Sequence, residues 1–207
     1  MNATTPLPVA FSVTMPDWFG DWSATVPSEV PGLDGRMAIV NAIARKNFEE
    51  GTGGPFAAGV FDADSGKVIA LGVNRVMPSG LTSAHAEVTT VSLAQIAVGH
   101  WDLGAEGAPV RQLVVNWRPC IMCMGATIWS GVRELVVAGE GPELEELTGF
   151  DEGPVTPDWE AELERRGIRV TKGIRREEAV TLFRDFGLSD AVVYNGRQGG
   201  VEEDFTR

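Results

Sequence analysis

The stretch NWRPCIMCMGATIWSG (residues 116–131) contains the two cysteines of the chain, Cys120 and Cys123, directly after Pro119. An apolar strand, RQLVVNW, runs into it, and a helix, CMGATIWSG, runs out of it to Gly131. Both cysteines therefore fall in the first turn of a helix that follows a strand. A spacing of i, i+3 points their sulfurs to one side of that turn. The unpaired N–H groups and positive dipole end found there favour thiolate over thiol. A redox couple, a structural clip and part of a metal site would all suit such a pair.

Working outward, the chain alternates strand and helix signals. PFAAGVFDADSGKVIALGVN reads as a hairpin of two apolar strands about the turn DADSGK. Upstream of it, Asp34 is expected to cap a helix from about Gly35 to Glu50, with Met37, Val40, Ile43, Ala44 and Phe48 on its apolar face. Downstream, AHAEVTTVSLAQIAVGH is helical, with Val88, Val91, Ala94, Ile96 and Val98 as its expected apolar stripe. RELVVAG and IRVTK are further strands, PELEELTGF and WEAELERRG polar helices, and RREEAVTLFRDFG a last amphipathic helix. Placing WEAELERRG between RELVVAG and IRVTK makes it a crossover, so these two strands should be parallel beside an antiparallel hairpin. The expected fold class is α/β, with a central mixed sheet of about five strands and helices on both faces.

At 207 residues the chain can bury one sizeable core. Three segments are expected: an aromatic, Pro-rich arm (1–33) that wraps the body, a main domain (34–190) and a C-terminal tail (191–207) whose GRQGGVEEDFTR stretch should be mobile. No apolar run approaches the roughly 20 residues that span a bilayer, and MNATTPLPVAFSV lacks the basic start of a secretory signal. A cytoplasmic protein with no membrane partner is the expectation, and both cysteines there should be thiols or metal ligands. The net charge of -12 disfavours nucleic acid, whose binding rests on Lys and Arg neutralising phosphates. The one basic cluster, Arg165, Arg166, Arg169, Lys172, Arg175 and Arg176, is interleaved with acids and reads as a solvated face.

A second helix start discriminates among the roles of the cysteines. In SAHAEV, His85, Ala86 and Glu87 open a helix after a loop. Catalytic zinc takes three protein ligands from His and Cys and keeps one position for water. His85, Cys120 and Cys123 would be those three, with Glu87 close enough to handle the proton of the water. The order H-x-E, then P-C-x-x-C, is the signature of zinc deaminases, in which the glutamate is a general acid/base and not a ligand. A structural zinc would normally draw a fourth Cys or His into the cluster, and His100, in GHWDLG, reads as capping or exposed. Zinc would lower the pKa of a water toward about 7. Glu87 would then move its proton to a ring nitrogen and on to the departing amine.

These residues make the chain resemble the cytidine deaminase-like superfamily, in particular its nucleobase branch of guanine deaminases and tRNA adenosine deaminases. The resemblance runs from about Met37 to Asp185 through GGPFAAGVF, AHAEV, PCIMCMGATIWSGV and TGFDEG. It implies a three-layer α/β/α sandwich, one zinc per chain, hydrolytic release of ammonia from a small heterocyclic base, and a homodimer. It also implies substrate-binding roles for Asn74 and for the backbone N–H of Ala86, and a proton-transfer role for Glu152. Trp117 would line the pocket or fill core. Relatives usually carry Glu where this chain has Arg118. Tyr194 could cap the site, as C-terminal aromatics do in guanine deaminases. Guanine or a related aminopurine is the first expected substrate, with cytosine-like or triazine bases next. The rivals are a tRNA or nucleoside deaminase and, from another class, a non-catalytic zinc or redox module.

Overall fold

The structure, a computed structural model, describes residues 7–198. Residues 1–6 of the expected arm and 199–207 of the expected tail lie outside the described residues.

Five strands form one sheet in the order β2-β1-β3-β4-β5. The hairpin is β1 (Ala57–Asp62) and β2 (Val68–Val73), paired antiparallel with Ala58 opposite Gly72. Its turn is closed by Asp62, whose Oδ1 accepts the N–H groups of Asp64 and Ser65 at 3.1 and 3.0 Å, and by Gly66 at φ +77°. Strand β3 (Arg111–Val115) runs antiparallel to β1, and β4 (Glu134–Val137) and β5 (Arg169–Lys172) follow parallel to it. The sheet is thus mixed: the antiparallel hairpin joins the parallel strands β3, β4 and β5 through the β1–β3 pairing.

Alternating residues of each strand point to opposite faces, and each face has its own core. On one face, Ala57, Phe61, Val73, Val114 and Val136 pack under α2 (Leu33–Glu49) and α8 (Arg176–Gly187), which contribute Met37, Val40, Ile43, Ala179 and Phe183. Helix α6 (Glu143–Thr148) adds Leu144 there. On the other face, Ala58, Val60, Leu113, Val115, Leu135 and Val137 pack under α4 (Ala86–Val98), α5 (Ile121–Ser130) and α7 (Trp159–Glu164). This is the α/β/α sandwich.

Two local expectations are corrected. Helix α2 begins at Leu33, with Gly32 at its N-cap at φ +75°, so Asp34 lies inside the first turn and caps nothing. There its carboxylate still suits the positive helix end, and it pairs with Arg175 at 2.8 Å. In α4 the stripe is rotated: Ile96 and Val98 are exposed, and Ala86, Thr90, Val91 and Ala94 face the sheet. Small residues let α4 lie close on the hairpin. Thr90 Oγ1 bonds Ala58 O at 3.3 Å, and a Cβ on Gly72 would run into the Thr90 side chain and come within 3.2 Å of its main-chain N.

The arm contains a short helix, α1 (Phe19–Ser23), and a β-bridge from Glu29 to Lys67. Met15, Trp18, Phe19, Trp22 and Val26 pack against the first core, and Trp18 Nε1 donates to Thr52 Oγ1 at 3.1 Å. Arg75, which leads into the short helix α3 (Val76–Ser79), donates to Thr14 O and Thr52 O and ties the arm to the end of β2.

Candidate active site

The site lies where the chain leaves β2 and β3. Asn116, just past β3, accepts the Ala57 N–H at 3.0 Å and donates to Pro55 O at 2.8 Å, which pins the entry of β1 to the exit of β3. Helices α4 and α5 contact each other, and their first turns meet: His85 is the N-cap residue of α4 and Cys120 that of α5. Ligand atoms of His85, Cys120 and Cys123 all lie within 4.8 Å of one another, and Cys120 Sγ is 3.6 Å from His85 Nδ1.

The chemistry of these donors fits zinc. A hydrogen bond from Cys123 outweighs burial and, with His85, pushes the Cys120 pKa down to about 4. The Cys123 thiol is raised well above its ordinary range by its hydrogen bond with Cys120, by burial and by Glu87. For His85, burial disfavours the cation, but the Cys120 thiolate, Glu87 and Glu152 outweigh it and raise its pKa. Two sulfurs and one imidazole make a compact N/S donor set with no fourth protein ligand among the described residues, the composition of a zinc site with an open position.

Beside the donors, a cavity of about 220 Å³ is lined by His85, Glu87, Asn74, Trp117, Arg118, Glu152 and Tyr194, with Phe56, Leu144 and Phe150 among its apolar walls. Glu87, from the first turn of α4, is buried, and burial followed by the Cys120 charge raises its pKa against the pull of His85. Glu152 reaches the cavity from the loop after α6, where burial, then Cys120 and Glu87, raise its pKa to about 8. Asn74 spends its main chain on Phe56 and Asn47 and its Oδ1 on the Val76 N–H at 3.2 Å.

The structure therefore brings together His85, Glu87, Cys120, Cys123, Asn74, Trp117 and Glu152. Ala86 is buried and is not among the residues lining the cavity, although as the first residue of α4 its N–H has no intrahelical acceptor. Trp117 does both things foreseen for it: it lines the cavity and belongs to the first core. His100 stands apart, its Nδ1 3.0 Å from the Asp102 N–H and its ring stacked on Trp101. Sequence reasoning missed the apolar walls Phe56, Leu144 and Phe150 and the polar Asn195. Phe56 and Phe150 stand inside the GGPFAAGVF and TGFDEG stretches, but nothing local marks Leu144 or Asn195.

Tyr194 lies edge-on to Phe150 at 4.9 Å between centroids, and its buried hydroxyl has no hydrogen-bond partner. Burial, then the carboxylates of Glu152 and Glu87, raise its pKa well above the ordinary value. Gly54 makes room for it, since a Cβ there would lie 2.6 Å from the hydroxyl oxygen.

The profile of the cytidine and deoxycytidylate deaminase zinc-binding region matches residues 35–139. A guanine deaminase of Bacillus subtilis (strain 168) is 32% identical over 126 residues, which are 61% of this chain and 76% of that protein. Among solved structures, a guanine deaminase from Nitrosomonas europaea is similar with a TM-score of 0.82 and 41% identity, covering 88% of this chain and 99% of its own. A structure solved in complex with 2,6-diaminopurine gives 0.83 and 42%, covering 91% and 98%.

Proposed function

We propose a substrate and residue roles for a chain that belongs to the cytidine and deoxycytidylate deaminase zinc-binding family. It is a zinc-dependent aminohydrolase that deaminates a nucleobase, and we assign it guanine or a related aminopurine, with cytosine-like and triazine bases as weaker candidates. The observation that carries this reading is the convergence of His85, Cys120 and Cys123 within 4.8 Å beside a cavity that Glu87 and Glu152 also line. At about 220 Å³ the cavity is smaller than a drug-sized pocket and suits a single free heterocycle.

His85, Cys120 and Cys123 would hold one zinc ion per chain. Zinc bound there supplies the Lewis acidity that makes a water nucleophilic near neutral pH. Glu87 would take up a proton from the attacking water as its oxygen bonds to the amine-bearing carbon, and deliver it to the adjacent ring nitrogen. It then carries the second proton to the amino group, which departs as ammonia while the carbonyl forms. Glu152, the second carboxyl in the cavity, assists this transfer. Asn74 and the Ala86 N–H orient the ring, and the apolar walls exclude water.

A polymer substrate is disfavoured. Every member of the basic cluster is committed to an acid: Arg165 and Arg166 to Glu162, Arg169 to Glu134, Lys172 to Glu140 and Glu160, Arg175 to Glu178, and Arg176 to Glu143. No helix among the described residues is long and apolar enough to cross a membrane, and two unpaired thiols suit the cytoplasm.

The deciding experiment measures ammonia released by zinc-loaded protein from guanine, isoguanine, adenine, cytosine, 5-azacytosine and ammeline, with nucleosides and tRNA alongside. Preferential turnover of guanine is expected. Turnover of tRNA alone would replace the substrate class. No turnover of any compound, with Glu87→Ala indistinguishable from the native protein, would leave a non-catalytic zinc or redox module.

A further inference from the structure

Arg118 is a buried cation with almost nothing to hold. It is 9% exposed and lines the cavity, and its main chain is fixed by the bond from its N–H to Gly139 O at 2.9 Å. A guanidinium carries five N–H donors. The bond it makes here is from Nη1 to Pro119 O at 3.3 Å, and it forms no ion pair among the described residues. Its charge is still felt in the cavity, where it opposes the rise in the Glu152 pKa. Burying such a charge without acceptors is costly, so acceptors have to come from whatever fills the cavity.

Trp117 repeats the pattern. Its Nε1 is buried without an acceptor. The six-membered ring is held from behind, because a Cβ on Gly139 would lie 2.7 Å from Cη2, and Phe183 packs edge-on to the indole at 5.3 Å. The Asn74 Oδ1 is already taken by Val76. Glu87, Asp151 and Glu152 bring carboxyl groups to the cavity, and Arg118 is the one cationic side chain among its lining residues.

We infer that Arg118 is a specificity-determining residue: its N–H fork takes the acceptor edge of an oxo-bearing amino heterocycle, the carbonyl oxygen and the ring nitrogen on the same edge. This rests on the nucleobase reading above. In guanine that edge is O6 and N7, which arginine matches with two parallel hydrogen bonds. An amino group in place of the oxygen sets N–H against N–H and leaves the guanidinium unpaired, which the site rejects.

The test compares kcat/KM for guanine with that for 2-aminopurine, which keeps the leaving amine and lacks the oxygen, in the native protein, Arg118→Met and Arg118→Lys. Zinc content and thermal midpoint are measured for each, so that misfolded variants are set aside. The native preference for guanine is expected to fall roughly 10- to 100-fold in Arg118→Met, and by less in Arg118→Lys, which keeps the charge without the fork. An unchanged preference ratio, whether or not both activities drop, overturns the inference. If the native protein releases ammonia from neither base, the aminopurine assignment fails, and the inference is decided by calorimetric binding of 8-azaguanine. Binding that is weakened in Arg118→Met supports it. Equal binding, or none to either protein, overturns it.

Discussion

Glu87 and Glu152 are two carboxyls in one cavity that differ in how far they sit from the donor trio. Glu87 is one residue from Ala86 and two from His85, in the first turn of α4, so a charge there is set by the trio itself. Replacing it by glutamine keeps the shape and removes the proton carrier. Ammonia release should fall by on the order of 10²- to 10⁴-fold while metal analysis still finds zinc. Glu152 gives a stability prediction for the metal-free protein. Its folded pKa, about 8, lies above the ordinary carboxyl value of roughly 4.3, so between those values the folded state binds more protons than the unfolded state. Stability from this group is therefore full below about pH 4 and declines as the pH rises toward 8. Glu152→Gln cannot ionise, and its thermal midpoint should exceed the native one at pH 8 and match it near pH 4. The residues of the two motifs were legible because ligand chemistry fixes both their types and their spacing. The burial of Arg118 was not, because it is produced by the Gly139 loop and the cavity walls, far from it in sequence.

At the scale of elements, the strands could be read from short apolar runs and turn residues, and the crossover through α7 made the parallel pairing of β4 with β5 follow. The face of α4 could not. A hydropathy reading looks for large side chains toward the core, whereas this helix meets the hairpin through Ala86, Thr90 and Ala94, a small-residue face opposite Gly72. The start of α2 escaped for a related reason: Gly32 closes it through backbone conformation and offers no capping side chain to recognise. The loop after β4 carries its own test. Gly139 is the floor on which the Trp117 ring rests, so Gly139→Ala should press the indole toward the cavity. Stability should drop by about 1–3 kcal/mol, as overpacking does, and KM for the base should rise, read from denaturant unfolding and from steady-state kinetics. The arm offers another. Arg75→Met removes the bonds to Thr14 and Thr52 next to Asn74, so the arm should become more sensitive to limited proteolysis near Thr14 and KM should increase.

At the scale of the whole molecule, two neighbouring helices and the turn between them and the sheet carry several exposed large apolar residues. Ile96, Trp101, Ile121, Met122 and Trp129 lie on α4, α5 and the turn after α4, and Trp129 is 78% exposed. Clusters of this kind mark association surfaces, and they support the homodimer that the family resemblance implied. Sedimentation should show a dimer, and Trp129→Glu should shift it toward monomer with zinc still bound.

The assembly of the cavity also sets an order of events during synthesis. His85, Cys120 and Cys123 all precede the strands β4 and β5, while Tyr194 and Asn195 come after the last helix. Asn195 accepts the Asp151 N–H and donates to Gly149 O, both at 2.9 Å, and so holds the loop that carries Glu152. On the ribosome the metal donors emerge long before the residues that roof the cavity and brace this loop. The residues that would hold the metal and those that complete the cavity around a base are thus separated in the order of synthesis by the last two strands and the last helix.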